Sequence, residues 1–343
     1  MIIASIVIAS FILSLWLTHR LCRATGRWRI LDQPNARSLH STPVPRTGGL
    51  AIIIAVLAGF ALLALTMEVP PMFYWMTGSM VLLAVVAWFD DVDGVHIVGR
   101  LLVQILTVLL LLFGGGFLAV LLESGYGLTV GTVIFVITVL VVVWMVNLYN
   151  FMDGMDGLAA GMGAIGFACL GILGWLAEDW VFASLALVVA SSSLGFLVFN
   201  FPPARIFMGD TGSYSLGFLA AALSLWGVGD GLFSVWCPIL IFSPFIIDAS
   251  VTLTARAWRR ERLWEAHKGH FYQRLAVTGW SHRRIALGAY GLMMACGASA
   301  LCAGVFGADA LRVIVPVWMV LYTVLLRLII RLERLQRSYR PPS

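Results

Sequence analysis

Charge is what this sequence has least of. Asp, Glu, Lys and Arg make up 11% of its 343 residues, against 61% hydrophobic ones. Soluble globular domains carry about a quarter charged residues, so that class is excluded. No polar stretch is long enough for a separate soluble domain, and no internal repeat is visible. One membrane domain over residues 1–343 is expected. Cysteine is also scarce. Four of the five (Cys169, Cys237, Cys296 and Cys302, but not Cys22) fall inside apolar runs, where a thiol behaves as a small hydrophobe; a disulfide framework is excluded. The opening stretch MIIASIVIASFILSLWLTHR lacks a basic leader and a small-residue cleavage site, and reads as a retained first helix rather than a removed signal peptide.

What is there is a series of apolar runs near 20 residues, long enough to cross a hydrocarbon core of ~30 Å. Eleven are expected, over 1–19, 48–66, 72–89, 99–117, 129–146, 158–177, 180–199, 212–228, 234–255, 285–306 and 311–330, giving an all-α polytopic membrane protein. The net charge of +5 is unevenly placed. Arginines crowd the first loop, the loop over 256–284 and the tail, while loops such as MEVPP, AED and GDG have almost none. The positive-inside rule makes the crowded segments cytoplasmic, with the N-terminus periplasmic and the C-terminus cytoplasmic. This basic surface reads as topology and anionic lipid headgroups, not nucleic acid. The polar clusters near 20–47, 90–98, 147–157, 200–211 and 256–284 each follow an odd-numbered span, so all converge on one membrane face.

Those clusters hold Asp90, Asp91, Asp93, Asp153, Asp156 and Asp210. Carboxylates share a small region only if a proton or a cation offsets their repulsion. Hard oxygen ligands suit Mg²⁺, with Mn²⁺ as the alternative. Arg37, His40, Arg46, Arg100, His267, Lys268 and His270 lie in the same loops, which suits a phosphorylated substrate bridged by metal. In NLYNFMDGMDGLA, residues 147–159, Asn147, Asn150, Asp153 and Asp156 recur every third residue and would form a slowly drifting polar stripe on a helix. FMGDTGS, residues 207–213, puts Asp210, Thr211 and Ser213 at a helix start, where backbone N–H groups receive anions. His267 and His270 are read as phosphate contacts or solvated side chains rather than zinc ligands. Asp248, four residues after Pro244, is either a cap for a broken helix or a functional group.

With these residues in view, the chain resembles the polyprenyl-phosphate N-acetylhexosamine-1-phosphate transferases, the superfamily of MraY and the WecA-like enzymes. The resemblance runs from RSLHSTPVPRTGG to the 256–284 loop and is most specific in NFMDGMDGLA and FMGDTGS. It implies Mg²⁺-dependent transfer of a sugar-1-phosphate from a UDP-N-acetylhexosamine to undecaprenyl phosphate, with UMP released, at the cytoplasmic face of the bacterial inner membrane. It also implies roles. Asp90 is a candidate base, Asp210 a metal ligand perhaps aided by Asp91, and Asn150, Asp153 and Asp156 occupy nucleotide-site positions. Phe207 would stack on uracil, His267 and His270 would lie near the pyrophosphate, and Arg46, His40 and Lys268 would contact substrate. The family's DDxxD pattern is broken here, since position 94 is Gly, so Asp93 receives no role. The histidine motif is HKGH, unlike that of the peptidoglycan enzyme, and looks closer to the WbpL-like O-antigen-initiating branch, whose sugars include FucNAc and QuiNAc types besides GlcNAc. A homodimer is compatible with the sequence. The rivals are an intramembrane prenyltransferase, expected to show wider Asp spacing, and an ion-coupled transporter, expected to place its carboxylates at the bilayer midplane.

Overall fold

The computed structural model describes residues 1–24, 30–33, 43–115, 127–262 and 268–339, with side chains except at 127, 128, 334 and 336–339. Of the expected site residues, His40 and His267 lie outside the described residues, as does Arg37. The chain runs through α1 (Ile2–Cys22), β1 (Leu31–Asp32), β2 (Val44–Pro45), α2 (Gly49–Thr66), α3 (Pro71–Asp93), α4 (Ile97–Gly114), α5 (Gly127–Met152), α6 (Leu158–Leu176), α7 (Trp180–Asn200), α8 (Gly209–Gly229), α9 (Trp236–Trp258), α10 (Phe271–Val277) and α11 (His282–Tyr339). The two strands are a two-residue antiparallel pairing of Leu31 with Pro45 and Asp32 with Val44, an addition to the expected all-α architecture.

Nine of the described helices are long and apolar enough to cross a membrane. Two features reconcile nine with the expected eleven. α11 has 58 residues, about 87 Å at 1.5 Å per residue, and is interrupted at Gly307 (φ 67°, ψ −146°), so by length it is two spans. α8 falls outside the nine because its first turns, GDTGSYS, are polar, yet it is 21 residues long and buried along nearly its whole length.

α6, α7 and α8 form the interior, and α1, α5 and α11 expose most of their surface. α5 turns Val133, Val136, Ile137, Leu140 and Val141 outward, as a lipid-facing helix does. Lipid offers no hydrophobic drive for helices to associate, so close backbone packing and internal hydrogen bonds do that work. α1 buries Ser10, Ser14 and Thr18. Ser14 Oγ donates across to the Ser192 carbonyl of α7 at 2.6 Å, while Ser10 and Thr18 satisfy their hydroxyls on their own helix, on Ile6 O and Ser14 O. α4 is clasped to α5 by an amide pair. Asn147 Nδ2 donates to Gln104 Oε1 at 2.7 Å, and Gln104 Nε2 donates back to Asn147 Oδ1 at 3.4 Å.

Candidate active site

The C-terminal ends of α3, α5 and α7 meet the N-terminal starts of α2, α6 and α8 at one end of the bundle. The start of α8 is the hub. Its N-cap position is Met208, which has no side-chain acceptor. The missing cap comes from α3. Asp91 Oδ1 accepts from Asp210 N at 3.0 Å, and Asp91 Oδ2 accepts from Thr211 N at 2.9 Å and Thr211 Oγ1 at 2.8 Å. A carboxylate at a helix N-terminus satisfies orphan amides and complements the dipole. Asp91 is 3% exposed, and its carboxylate is engaged as this anchor rather than turned outward. Arg46 Nη2 donates to the Asp91 carbonyl, and Gly49 N to Met208 O at 2.7 Å, tying the first loop to the same hub.

Gly209 makes the turn possible. Its φ is +73°, and a Cβ there would lie 2.4 Å from the Arg46 carbonyl and 3.0 Å from both Asp91 carboxylate oxygens. Gly209→Ala is expected to cost about 1–3 kcal/mol in backbone strain alone, with the steric clash on top. Thermal unfolding in detergent measures this, and an unchanged Tm would contradict the account.

Asp210, one residue into α8, turns its side chain the other way. Asn150 Nδ2 donates to Asp210 Oδ1 at 2.7 Å and also lies 3.0 Å from Ser213 Oγ. Asp90 approaches Asp210 within hydrogen-bonding reach. Asp90 Oδ1 accepts from Val95 N at 2.7 Å, and Arg100 Nε lies 2.8 Å from Oδ2. That Nε–H is aimed instead at Val95 O, at 2.8 Å, so buried Asp90 Oδ2 is left without an aligned donor. Arg100 also reaches Tyr214 of α8. Arg46 Nε is a second buried orphan, a donor without an acceptor. Two facing carboxylates with an orphaned oxygen call for a cation, and an orphaned guanidinium N–H nearby calls for an anion.

α5 ends at Met152, so Asp153 and Asp156 leave the helical stripe for the turn over 153–157. Asp153 is enclosed there. Burial, then the charges of Asp210 and Asp91, push its carboxyl well above the usual carboxylate range, which favours its protonated form. Asp156 has the opposite environment. Burial alone would raise it, but the hydrogen bond from His282, the Ala204 amide and the His282 charge outweigh burial and hold it below its ordinary value. Its Oδ2 accepts from Ala204 N at 3.0 Å and lies 3.3 Å from His282 Nδ1. Asp156 therefore staples the 200–206 loop and the start of α11. Asn200 assists, accepting from Gly157 N at 2.9 Å and donating to Ile206 O at 2.8 Å.

His270 and the start of α10 close over this turn. A Cβ on Gly154 would sit 2.3 Å from Tyr272 Oη, so only glycine lets α10 approach. Tyr272 Oη donates to Phe151 O at 3.0 Å. His270 is buried, its ring stacked at 28° to that of Phe151 (6.2 Å between centroids) and at 17° to that of Tyr272 (5.8 Å). Arg274 Nε reaches Glu333 of α11 at 3.1 Å.

The structure thus brings Arg46, Asp90, Asp91, Asn150, Asp153 and Asp210 into one cluster, with His270 stacked on Phe151. Phe207 is partly buried, its N–H donating to Pro45 O at 2.7 Å and its carbonyl accepting from Gly48 N at 3.0 Å. Lys268 precedes His270 and is partly buried. Asp93 is exposed at the end of α3. Two participants were missed in the sequence. Tyr214 was signalled only by its place one helical turn after Asp210, and His282 by nothing local.

Comparison with known proteins agrees with this geometry. Residues 72–228, which contain both the Asp90–Asp91 pair and Asp210, match the model of glycosyl transferase family 4. A probable undecaprenyl-phosphate N-acetylglucosaminyl 1-phosphate transferase of Bacillus subtilis is 31% identical over 270 residues, 76% of this chain and 73% of that one. The decaprenyl-phosphate N-acetylglucosaminephosphotransferase of Mycobacterium leprae is 30% identical over 296 residues, covering 76% and 74%. A phospho-N-acetylmuramoyl-pentapeptide-transferase of Listeria welshimeri is 32% identical over a shorter stretch of 151 residues, 43% and 44%. The chain belongs to glycosyl transferase family 4, the superfamily of membrane phospho-sugar transferases that its paired DG and GD motifs resemble.

Proposed function

We propose that this protein transfers an N-acetylhexosamine-1-phosphate from a UDP-sugar to undecaprenyl phosphate, forming undecaprenyl-diphospho-sugar and UMP. The site would face the cytoplasm across the bacterial inner membrane, and the product would begin an envelope polysaccharide such as O-antigen. The observation that carries the reading is the facing pair Asp90 and Asp210 beside the orphaned Arg46 Nε. Among the described residues no group of three or more His, Cys, Asp or Glu is arranged as a metal cluster. A cation here would rest on two carboxylates and fill its other positions with water and phosphate oxygens, the habit of Mg²⁺. Asp210 and Asp90 would hold Mg²⁺, with Mn²⁺ as the alternative, and when bound it neutralises the donor's pyrophosphate and the charge growing on departing UMP.

The protein's own groups do the rest. Asn150 orients the Asp210 carboxylate from α5, and Asp91 fixes the helix start that carries Asp210. Arg46 offers Nε to a phosphate oxygen, and His270 and Lys268 meet the donor's pyrophosphate from the other side. The lipid phosphate is already ionised near neutral pH, so positioning and charge neutralisation matter more than a base. Asp153, in its protonated form, is suited to donate a hydrogen bond rather than to take a proton. The relatives that cover about three quarters of the chain have N-acetylglucosamine in their names, which supports a GlcNAc-type donor ahead of FucNAc or QuiNAc.

The test is UMP release by purified protein in detergent with undecaprenyl phosphate, Mg²⁺ and a panel of UDP-N-acetylhexosamines. UMP is expected only when lipid phosphate and metal are both present, and chelation with EDTA is expected to stop it until Mg²⁺ or Mn²⁺ is restored. Folded protein that releases no UMP from any donor would overturn the reading.

A further inference from the structure

Tyr290 has no task in the reaction just described. It lies about two turns into α11, and its Oη donates to the Gly157 carbonyl at 2.7 Å, across 133 positions of chain. Two glycines make room for it. A Cβ on Gly161 would run into Tyr290 Cε1, and one on Gly157 would lie 2.7 Å from Oη. Gly157 also has φ +75°, so a side chain there would be strained as well as crowded. The Gly157 carbonyl already accepts from Gly161 N at 2.9 Å, so the phenol is a second donor on a satisfied acceptor. The N–H of Gly157 is held from the other side. Asn200 Oδ1 accepts it at 2.9 Å, and Asn200 Nδ2 donates to Ile206 O at 2.8 Å. A hydrogen-bonded chain thus runs from α11, through the end of the 153–157 turn, to the residue before Phe207. His282, about two turns before Tyr290, lies 3.3 Å from Asp156. Two side chains of α11 therefore grip the adjacent residues 156 and 157.

We propose that the start of α11 is a clamp for the nucleotide half of the site, with Tyr290 and His282 as its positioning residues. They hold the 153–157 turn in register with the chain that carries Phe207, and so set the affinity for the uridine nucleotide. This rests on the reading of the site as a UDP-sugar site, with Asp153 and Phe207 at the nucleotide. Both residues act through the turn, and neither needs a contact of its own with the ligand. A tyrosine that only ties helices together in lipid would do so anywhere along them. The same helix has one of that kind. Tyr322 Oη lies 2.6 Å from Ser243 Oγ of α9 and 3.3 Å from Cys296 Sγ, and neither partner belongs to the turn or to the 200–206 loop. Tyr322 is therefore the internal control.

The experiment measures equilibrium binding of UMP by calorimetry, on the full chain in detergent with Mg²⁺, and Tm on the same preparations. Tyr290→Phe keeps the ring and removes the hydroxyl. It is expected to weaken UMP binding about 3–10-fold, the scale set by one hydrogen bond. KM for the UDP-sugar is expected to rise by a similar factor while kcat changes less than about twofold, the pattern of lost uniform binding. His282→Ala releases the neighbouring residue and is expected to weaken UMP in the same way, so the test stands even where one of the two variants does not fold. Tyr322→Phe removes a comparable bond of the same helix and is expected to lower Tm with UMP affinity unchanged within about twofold. Unchanged affinity in either clamp variant that folds, or an equal loss in Tyr322→Phe, overturns the proposal. Binding needs no turnover, so the two failures are distinguishable. Unaltered protein that binds no UMP fails the UDP-sugar reading itself, whereas protein that binds UMP and keeps that affinity in the folded clamp variants fails only the clamp.

Discussion

Asp210→Asn is expected to abolish UMP release, by about 10³-fold or more, while leaving the helix bundle folded. The argument is steric equality with electrical difference. Asparagine fills the same volume, and its amide oxygen still accepts from Asn150 Nδ2, the bond that now measures 2.7 Å. The backbone N–H of residue 210 still donates to Asp91. What disappears is one negative charge opposite Asp90, and with it half of the proposed cation site. Transfer rate and Tm, measured on one preparation, check the two halves of the statement. Activity within tenfold of the unaltered protein would remove Asp210 from the metal site.

Asp91→Asn is expected to be equally inactive for a different reason, and to be unstable as well. The substitution puts an NH₂ group where the Asp91 carboxylate now accepts three hydrogen bonds, so at least one buried amide of α8 loses its acceptor or faces another donor. A buried group left unsatisfied costs about 1–3 kcal/mol, and the lost interaction of the carboxylate with the helix dipole adds to it. The two aspartates are thus separable. A variant at 210 should lose turnover at constant Tm, and one at 91 should lose turnover together with Tm. An Asp91→Asn protein as stable as the parent but inactive would return Asp91 to the metal site and refute its role as an anchor.

The sequence reading sets Asp91 beside Asp210 as a metal ligand, and helix geometry alone points to the division proposed here. Neighbouring residues on a helix point about 100° apart, so Asp90 and Asp91 at the end of α3 face different partners. The stripe in NLYNFMDGMDGLA reads correctly only at one position. Three residues are 60° short of a full turn, so Asn147 rotates away to Gln104 on α4 while Asn150 reaches Asp210. Asp153 and Asp156 lie beyond Met152, where the helix ends, and a periodicity argument has no hold on them. The span pattern and the gathering of polar loops at one end follow from hydropathy and loop order, which are local quantities. The cap that Asp91 gives α8, the link between Asp156 and His282, and the bond of Asp248 to His270 join segments distant in sequence. None of the three leaves a spacing to be read.

The hub where Asp91 meets Thr211 joins residues 120 positions apart in the chain. Its assembly therefore has a timetable. At roughly 5–20 residues per second, translation delivers Thr211 roughly 6 to 24 seconds after Asp91. During that interval the Asp91 carboxylate lacks the Asp210 and Thr211 donors from which it accepts in the finished fold. The order of synthesis therefore leaves this helix cap open until α4, α5, α6 and α7 have all been made.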